Sequence, residues 1–212
     1  MGLIVDGARR WARANRIGLK SAYDRAFASV EVLVRNLFEN DVSEISLYLL
    51  SRDNLKRSAS DLEAVFAASA SFVDGALLDL SRELGVGIKI AGDPTSVSTA
   101  YQASLRKAEQ ETRHLTGRQL YLLVAYSPAE ELADRGGPHL TTMDSLISNL
   151  WVPSRVDLVI RTGGAALLSD FLPLQCGYAR IWWTPKSFVD LAWDDIENEV
   201  QDVKRTEQLR GR

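Results

Sequence analysis

Six short apolar runs alternate with longer amphipathic stretches along this chain of 212 residues. Residues 2–5 form the first run, stopped by Asp6-Gly7. Residues 45–50, 86–91, 120–125, 156–160 and 179–183 follow, each of strand length and closed by polar or glycine-bearing segments. Between the first two runs, Tyr23, Ala26, Phe27, Val30, Leu33, Val34, Leu37 and Phe38 recur at the three-to-four spacing of an amphipathic helix. Leu62, Val65, Phe66, Val73, Ala76, Leu77, Leu80 and Leu84 predict a long helix. It starts at the capping residues of 58–61 and ends near Gly85. A helix over about 97–115, a short one opened by Pro128 and an amphipathic one over 194–208 complete the pattern. Residues 135–138, Arg-Gly-Gly-Pro, have the composition of a flexible segment.

Strands alternating with helices predict an α/β fold: a six-stranded, mostly parallel sheet surrounded by helices. No repeat and no composition break divides the chain, so residues 1–212 read as a single domain. A chain this long buries roughly 70% of its unfolded surface and needs no disulfide or metal staple. Hydrophobic residues at 46% and charged residues at 25% exclude wholesale disorder. Runs such as 121–126 are too short to span a bilayer, and Met-Gly-Leu-Ile-Val-Asp has none of the features of a signal peptide. One cysteine, Cys176, excludes a disulfide framework and reads as a small buried hydrophobe. His114 and His139 are too few for a histidine-built metal site. A cytoplasmic setting is expected.

A net charge of −3 gives no general pull toward nucleic acid, so no nucleic-acid partner is expected. The distribution of charge is more informative. Nineteen of the 25 basic residues are arginine, and Arg9, Arg10, Arg52, Arg57, Arg161 and Arg180 sit where strands should end. Ligands of parallel sheets bind beyond those ends, and arginine forks suit phosphate oxygens. Asp6-Gly7-Ala8-Arg9-Arg10-Trp11 runs from a strand into a helix start, whose N–H groups and dipole favour an anion. Asp6 would repel a bare phosphate, which suggests a bridging Mg²⁺. Ser51, Asn54 and Arg57 follow the second strand. Arg161-Thr162-Gly163-Gly164 follows the fifth, where an arginine and a Gly-Gly nest could form a second anion site, with Ser169 close behind. Each motif also has a purely structural reading, as a helix cap, a polar capping loop or a glycine turn. Tyr178, Trp182 and Trp183 read as core or as an aromatic wall facing a cation. The alanine-rich stretch 64–71 reads as close helix packing or as the lining of a hydrocarbon pocket.

Together the three motifs resemble the cis-prenyltransferases, the undecaprenyl diphosphate synthase superfamily, from residue 3 to about 200. They are Ile-Val-Asp-Gly-x-Arg-Arg-Trp-Ala, Leu-Tyr-x-x-Ser-x-Asp-Asn-x-x-Arg, and Asp-Leu-Val-Ile-Arg-Thr-Gly-Gly followed by Leu-Ser-Asp-Phe-Leu. The resemblance implies a cis-prenyltransferase-like sheet, a homodimer, and Mg²⁺-assisted condensation of isoprenoid diphosphates. It implies that Asp6 is the catalytic, metal-holding aspartate. Gly7, Ala8, Arg9, Arg10 and Trp11 then line the cradle of the allylic diphosphate. Asn54 and Arg57 match a polar catalytic pair, with Ser51 ahead of them, Asp53 in place of glutamate and Leu55 in place of tryptophan. Arg161 and Ser169 match holders of the second diphosphate.

The departures carry the finer reading. The usual asparagine after Asp-Gly is Ala8. A basic residue and a histidine of the family fall at Leu19, with Lys20 adjacent, and at Tyr23. The glutamate and second arginine after Arg-Thr-Gly-Gly become Ala165 and Leu167, and the carboxylate of Tyr-Ala-Glu becomes Arg180. Arg180 is the expected substitute for the cationic charge missing at Leu167. An altered acceptor site beside a retained ionisation site predicts an unusual acceptor: head-to-middle coupling of two dimethylallyl diphosphates to a branched or cyclic C10 diphosphate of lavandulyl or cyclolavandulyl type. The proton could leave to the displaced diphosphate or to a polar side chain. A regular cis-prenyltransferase that uses isopentenyl diphosphate is the first alternative. A non-catalytic subunit of a two-component prenyltransferase is the second.

Overall fold

The computed structural model describes residues 1–209, with side chains described through Thr206. Its strands are β1 (Gly2–Ile4), β2 (Glu44–Tyr48), β3 (Val86–Gly92), β4 (Arg118–Val124), β5 (Leu158–Arg161) and β6 (Arg180–Trp183). They form one six-stranded sheet in the order β3-β4-β2-β1-β5-β6, with every neighbouring pair parallel. The helices are α1 (Ala8–Asn15), α2 (Leu19–Glu39), α3 (Ala59–Phe72), α4 (Leu78–Leu84), α5 (Thr99–Thr112), α6 (Pro128–Arg135), α7 (Met143–Asn149) and α8 (Glu197–Leu209).

Alternate strand residues feed two cores. Leu3, Ile45, Leu47, Ile88, Leu120, Leu122, Leu158 and Ile160 pack on the face covered by α2, α3, α5 and α8. Ile4, Tyr48, Leu123 and Val159 pack on the other, against Val152, Val156, Phe171, Leu172 and Cys176. Strands buried on both faces have no polar side, which is why each reads as a continuous apolar run. The edge strand β6 differs: Trp183 is 50% exposed, and the adjoining Tyr178 is 88% exposed. Those two residues are not core, whereas Trp182 packs partly against it.

Strand ends differ from expectation by one or two residues. Val5, Leu49 and Leu50 lie past the ladder, and Arg118 and Gln119 join β4 by pairing with Val86 and Gly87. The long helix is divided by a π turn over Val73–Leu77, where Gly75 takes φ −107° and ψ −107°. As a run, Ala59–Leu84 is long and apolar enough to cross a membrane, but half of its most apolar window is buried inside the protein. About half of that apolar surface therefore belongs to the core. Ser58, Ser98 and Thr142 cap α3, α5 and α7 with their side-chain oxygens. The last helix begins at Glu197, after a 3-10 turn over Trp193–Asp195.

Candidate active site

The C-terminal ends of β1, β2 and β5 open onto a cleft of about 350 Å³. Asp6, Gly7, Ala8, Arg9 and Arg10 reach it from the β1–α1 junction, Ser51, Asn54 and Arg57 from the segment after β2, and Arg161 and Ser169 from β5 and beyond. Tyr23 enters from α2, and Ile4, Val5, Leu49 and Leu50 supply apolar wall. Sequence positions far apart are thus gathered by the sheet order, which places β1 between β2 and β5.

Gly7 turns the chain from β1 into α1 at φ 106°, and a Cβ there would stand 2.9 Å from the Cα of Ser187. Only glycine meets both demands. The first helical bond runs from Trp11 N–H to Gly7 C=O, so the N–H groups of Ala8, Arg9 and Arg10 have no acceptor within the helix. The half-exposed Asp6 carboxylate accepts from Gly7 N–H at 2.6 Å, and lies 3.2 Å from Arg10 Nη2 and 3.3 Å from Arg161 Nη2. Arg9 Nε stands 3.3 Å from Asp61 at the start of α3. Arg57 donates to the Tyr23 hydroxyl at 3.2 Å. Burial raises the Tyr23 pKa, against the opposing pull of Arg57 and Arg9, so Tyr23 stays a neutral phenol.

Arg161 is 5% exposed, and it donates to Ser169 Oγ at 2.8 Å and to the Leu167 carbonyl. Its Nε has no partner among the described residues. Ser169, Asp170 and Leu172 all take positive φ, a strain of about 1–3 kcal/mol each for non-glycine residues. Tyr48 OH donates to the Ser169 carbonyl at 3.1 Å, so Arg161 and Tyr48 together hold this segment in place. A second cavity of about 380 Å³ adjoins the first. The two share Tyr48, Ser51, Asn54 and Ser169, and the second adds Arg52, Asp53, Tyr126, Ser127 and Asp170.

The profile of the family described as "Putative undecaprenyl diphosphate synthase" matches residues 4–211. The chain belongs to that family. As a family member it is a prenyltransferase, an isoprenyl diphosphate synthase of the cis type. It is 25% identical over 217 residues to an isoprenyl transferase of Campylobacter jejuni, covering 100% of this chain and 97% of the relative. It is 28% identical over 229 residues to isoprenyl transferase 1 of Corynebacterium glutamicum, covering 99% and 100%. Its fold is similar to that of lavandulyl diphosphate synthase from Lavandula x intermedia, solved in complex with dimethylallyl diphosphate. There the TM-score is 0.87 at 20% identity, with 95% and 93% of the two chains covered. A probable undecaprenyl diphosphate synthase of Campylobacter jejuni gives a TM-score of 0.78 at 22% identity, covering 96% and 93%.

Several expected prenyltransferase site residues lie elsewhere. Arg180, on the outer strand β6, points toward α8 with Nη1 3.4 Å from Glu199 and 3.9 Å from Asp202. It does not line the cleft and does not replace a charge at Leu167. Leu167 is 56% exposed, and its main-chain carbonyl accepts from Arg161. Lys20 pairs with Asp24 at 2.8 Å, along an outer groove between α2 and α3. Trp11 donates its indole N–H to Asp190 and lies under Arg25. Trp182 and Trp183 do not line either cavity. The glycine pair is no anion nest: Gly163 N–H donates to Lys186 C=O at 2.7 Å, and Gly164 N–H to Thr184 C=O at 2.9 Å. Sequence reading also missed Tyr48, Arg13, Asp61 and Thr162. Tyr48 and Thr162 flank strand ends and were open to discovery there; Arg13 and Asp61 follow from helix packing alone.

Asp6 fits a divalent cation. It is a half-exposed carboxylate at a phosphate-competent helix start, and a hard cation keeps waters and substrate oxygens beside one or two carboxylates. Among the described residues, no cluster of three or more His, Cys, Asp or Glu could hold a metal ion by itself. Any such ion would therefore share its coordination with a ligand.

Proposed function

We propose that this prenyltransferase joins two molecules of dimethylallyl diphosphate head to middle, giving a branched or cyclic C10 diphosphate. The observation that carries the reading is the asymmetry of the cleft. The donor half is complete in Asp6, the open N–H groups of α1, Arg9, Arg10, Asn54 and Arg57. The acceptor half offers Arg161 and Ser169, while Leu167 and Arg180 bring no charge to it. The lavandulyl diphosphate synthase likeness supports the fold on which this reading rests.

In this reading, the α1 N–H groups and the Arg9 and Arg10 guanidiniums bind the donor diphosphate and stabilise the charge that grows on it as the allylic C–O bond breaks. A Mg²⁺ held by Asp6 would add further neutralisation of that charge. The leaving diphosphate departs with the electron pair. The double bond of the second molecule, held through its diphosphate by Arg161 and Ser169, forms the new C–C bond. A proton then leaves to an oxygen of the released diphosphate. Ile4, Val5, Leu49, Leu50 and the neutral Tyr23 line the cleft with apolar and aromatic surface that excludes water from the cation. The enzyme works as a cytoplasmic homodimer in this account.

Incubation with Mg²⁺ and dimethylallyl diphosphate alone, followed by dephosphorylation and mass-resolved chromatography, tests the reading. A C10 alcohol supports it, and its loss in Asp6→Ala supports the role of that carboxylate. Elongation that occurs only with added isopentenyl diphosphate supports the second reading, a regular synthase. That reading is favoured by end-to-end similarity to curated isoprenyl transferases.

A further inference from the structure

The β1–β5 ladder ends at the pair Ile4–Arg161, two residues before the chain reaches Asp6. Beyond it the two strands diverge, and Gly163 N–H already bonds to Lys186. The backbone of Asp6 is therefore outside the sheet, yet its carboxylate must face the cleft. A single buried hydroxyl bridges the gap. Thr162, fully buried, accepts from Asp6 N–H at 3.0 Å and donates to Asp6 C=O at 2.7 Å through the same Oγ1. A hydroxyl has one proton, and the Ile4 carbonyl at 3.5 Å is the poorer acceptor, so the donation belongs to Asp6. The Asp6 carbonyl also accepts from Phe188 N–H at 3.1 Å, whereas its N–H bonds to Thr162.

We propose that Thr162 is a positioning residue that fixes the Asp6 backbone and so aims its carboxylate at the diphosphate and its cation. The role rests on the reading of Asp6 given above. Thr162 touches no reacting atom and acts only through Asp6. A valine there keeps the shape and loses both hydrogen bonds, which leaves the Asp6 N–H unpaired and its carbonyl held by Phe188 alone, so the carboxylate is aimed less firmly. A serine keeps both bonds.

The test is isothermal titration of Mg²⁺ with inorganic diphosphate into the full-length protein, well below each variant's melting temperature. Wild type, Thr162→Ser, Thr162→Val and Leu105→Ala are compared. Leu105 is a core residue of α5 that serves as a destabilised control. Loss of one charge-assisted contact corresponds to about tenfold weaker binding. We expect that loss in Thr162→Val, with Thr162→Ser and Leu105→Ala staying within about threefold of wild type. Thr162→Ala, which deletes the hydroxyl without adding bulk, replaces Thr162→Val should the latter not fold. Equal weakening in the serine and valine variants, or wild-type binding in the valine variant, overturns the positioning role. Wild-type protein that binds no Mg²⁺-diphosphate overturns the reading of Asp6 itself, which separates the two failures.

Discussion

Gly163 and Gly164 form a matched pair that separates backbone strain from damage to the site. Both take left-handed φ, 81° and 82°. A Cβ at Gly163 would stand 2.6 Å from Arg10 Nη2 and 3.0 Å from Asp6 Cγ, whereas at Gly164 the nearest atom is Pro185 Cα at 3.7 Å. An alanine at either position takes on about 1–2 kcal/mol of backbone strain. For a chain of this size, that lowers the melting temperature by roughly 2–8 °C. The steric consequences diverge. Arg10 is the flexible end of a mostly exposed side chain and can swing away, so the lost ion pair itself adds little to instability. On the proposed reading, the same swing would take a guanidinium from the donor diphosphate, a charge-assisted contact worth about 1.5–3 kcal/mol, or roughly 10- to 100-fold in kcat/KM. Thermal melts and steady-state kinetics with dimethylallyl diphosphate therefore give two answers. Both variants melt lower, Gly163→Ala the more because its Cβ also crowds the Asp6 main-chain carbon at 3.2 Å, but only Gly163→Ala loses kcat/KM on that scale. Equal kinetic losses in the two variants, or none in Gly163→Ala, would refute the placement of Arg10 and Asp6 on the diphosphate.

Other outcomes follow from residues outside the cleft. Asp93 is held down to about 2 by hydrogen bonds from Ser96 and Thr95, with a further one from Arg52. A depressed carboxylate stabilises the fold above its unfolded value of about 3.9, and that contribution fades as pH falls toward its folded value. Asp93→Asn should therefore flatten the loss of stability between about pH 5 and 2 in acid denaturation; an unchanged acid limb would sink this assignment. Burial pushes the Cys176 thiol up to about 12, so native protein should resist alkylation by iodoacetamide at pH 8 and react fully once unfolded. Rapid native labelling would contradict its burial. Arg180→Gln should change the C10-forming rate by less than about threefold, since its half-exposed pairs with Glu199 and Asp202 face α8. A hundredfold loss would return Arg180 to the acceptor site.

The sheet was legible because parallel strands buried on both faces leave unbroken apolar runs, and the site because such sheets bind at their carboxyl ends. Asp6, Gly7, Arg9, Arg10, Asn54, Arg57, Arg161 and Ser169 do converge on one cleft. What failed was the direction in which a side chain or an N–H points. Arg180 lies on a strand as expected, but membership of a strand says nothing about a counter-charge supplied by α8. The Gly163 and Gly164 N–H groups looked free because their acceptors, Lys186 and Thr184, arrive from beyond β6. Thr162 lies in the Arg-Thr-Gly-Gly segment, yet only three-dimensional proximity shows one hydroxyl closing both backbone groups of Asp6. Helix α7 escaped notice because seven residues with Leu146 and Ile147 as its only adjacent aliphatics make no helical period.

On the proposed reading, both five-carbon units come from dimethylallyl diphosphate. The most direct test supplies uniformly ¹³C-labelled dimethylallyl diphosphate together with an equal amount of unlabelled isopentenyl diphosphate, and reads the mass of the dephosphorylated C10 product. A product labelled in both halves, with a branched skeleton by gas chromatography, is expected. A linear product labelled in one half would contradict it and identify a regular chain-elongating prenyltransferase.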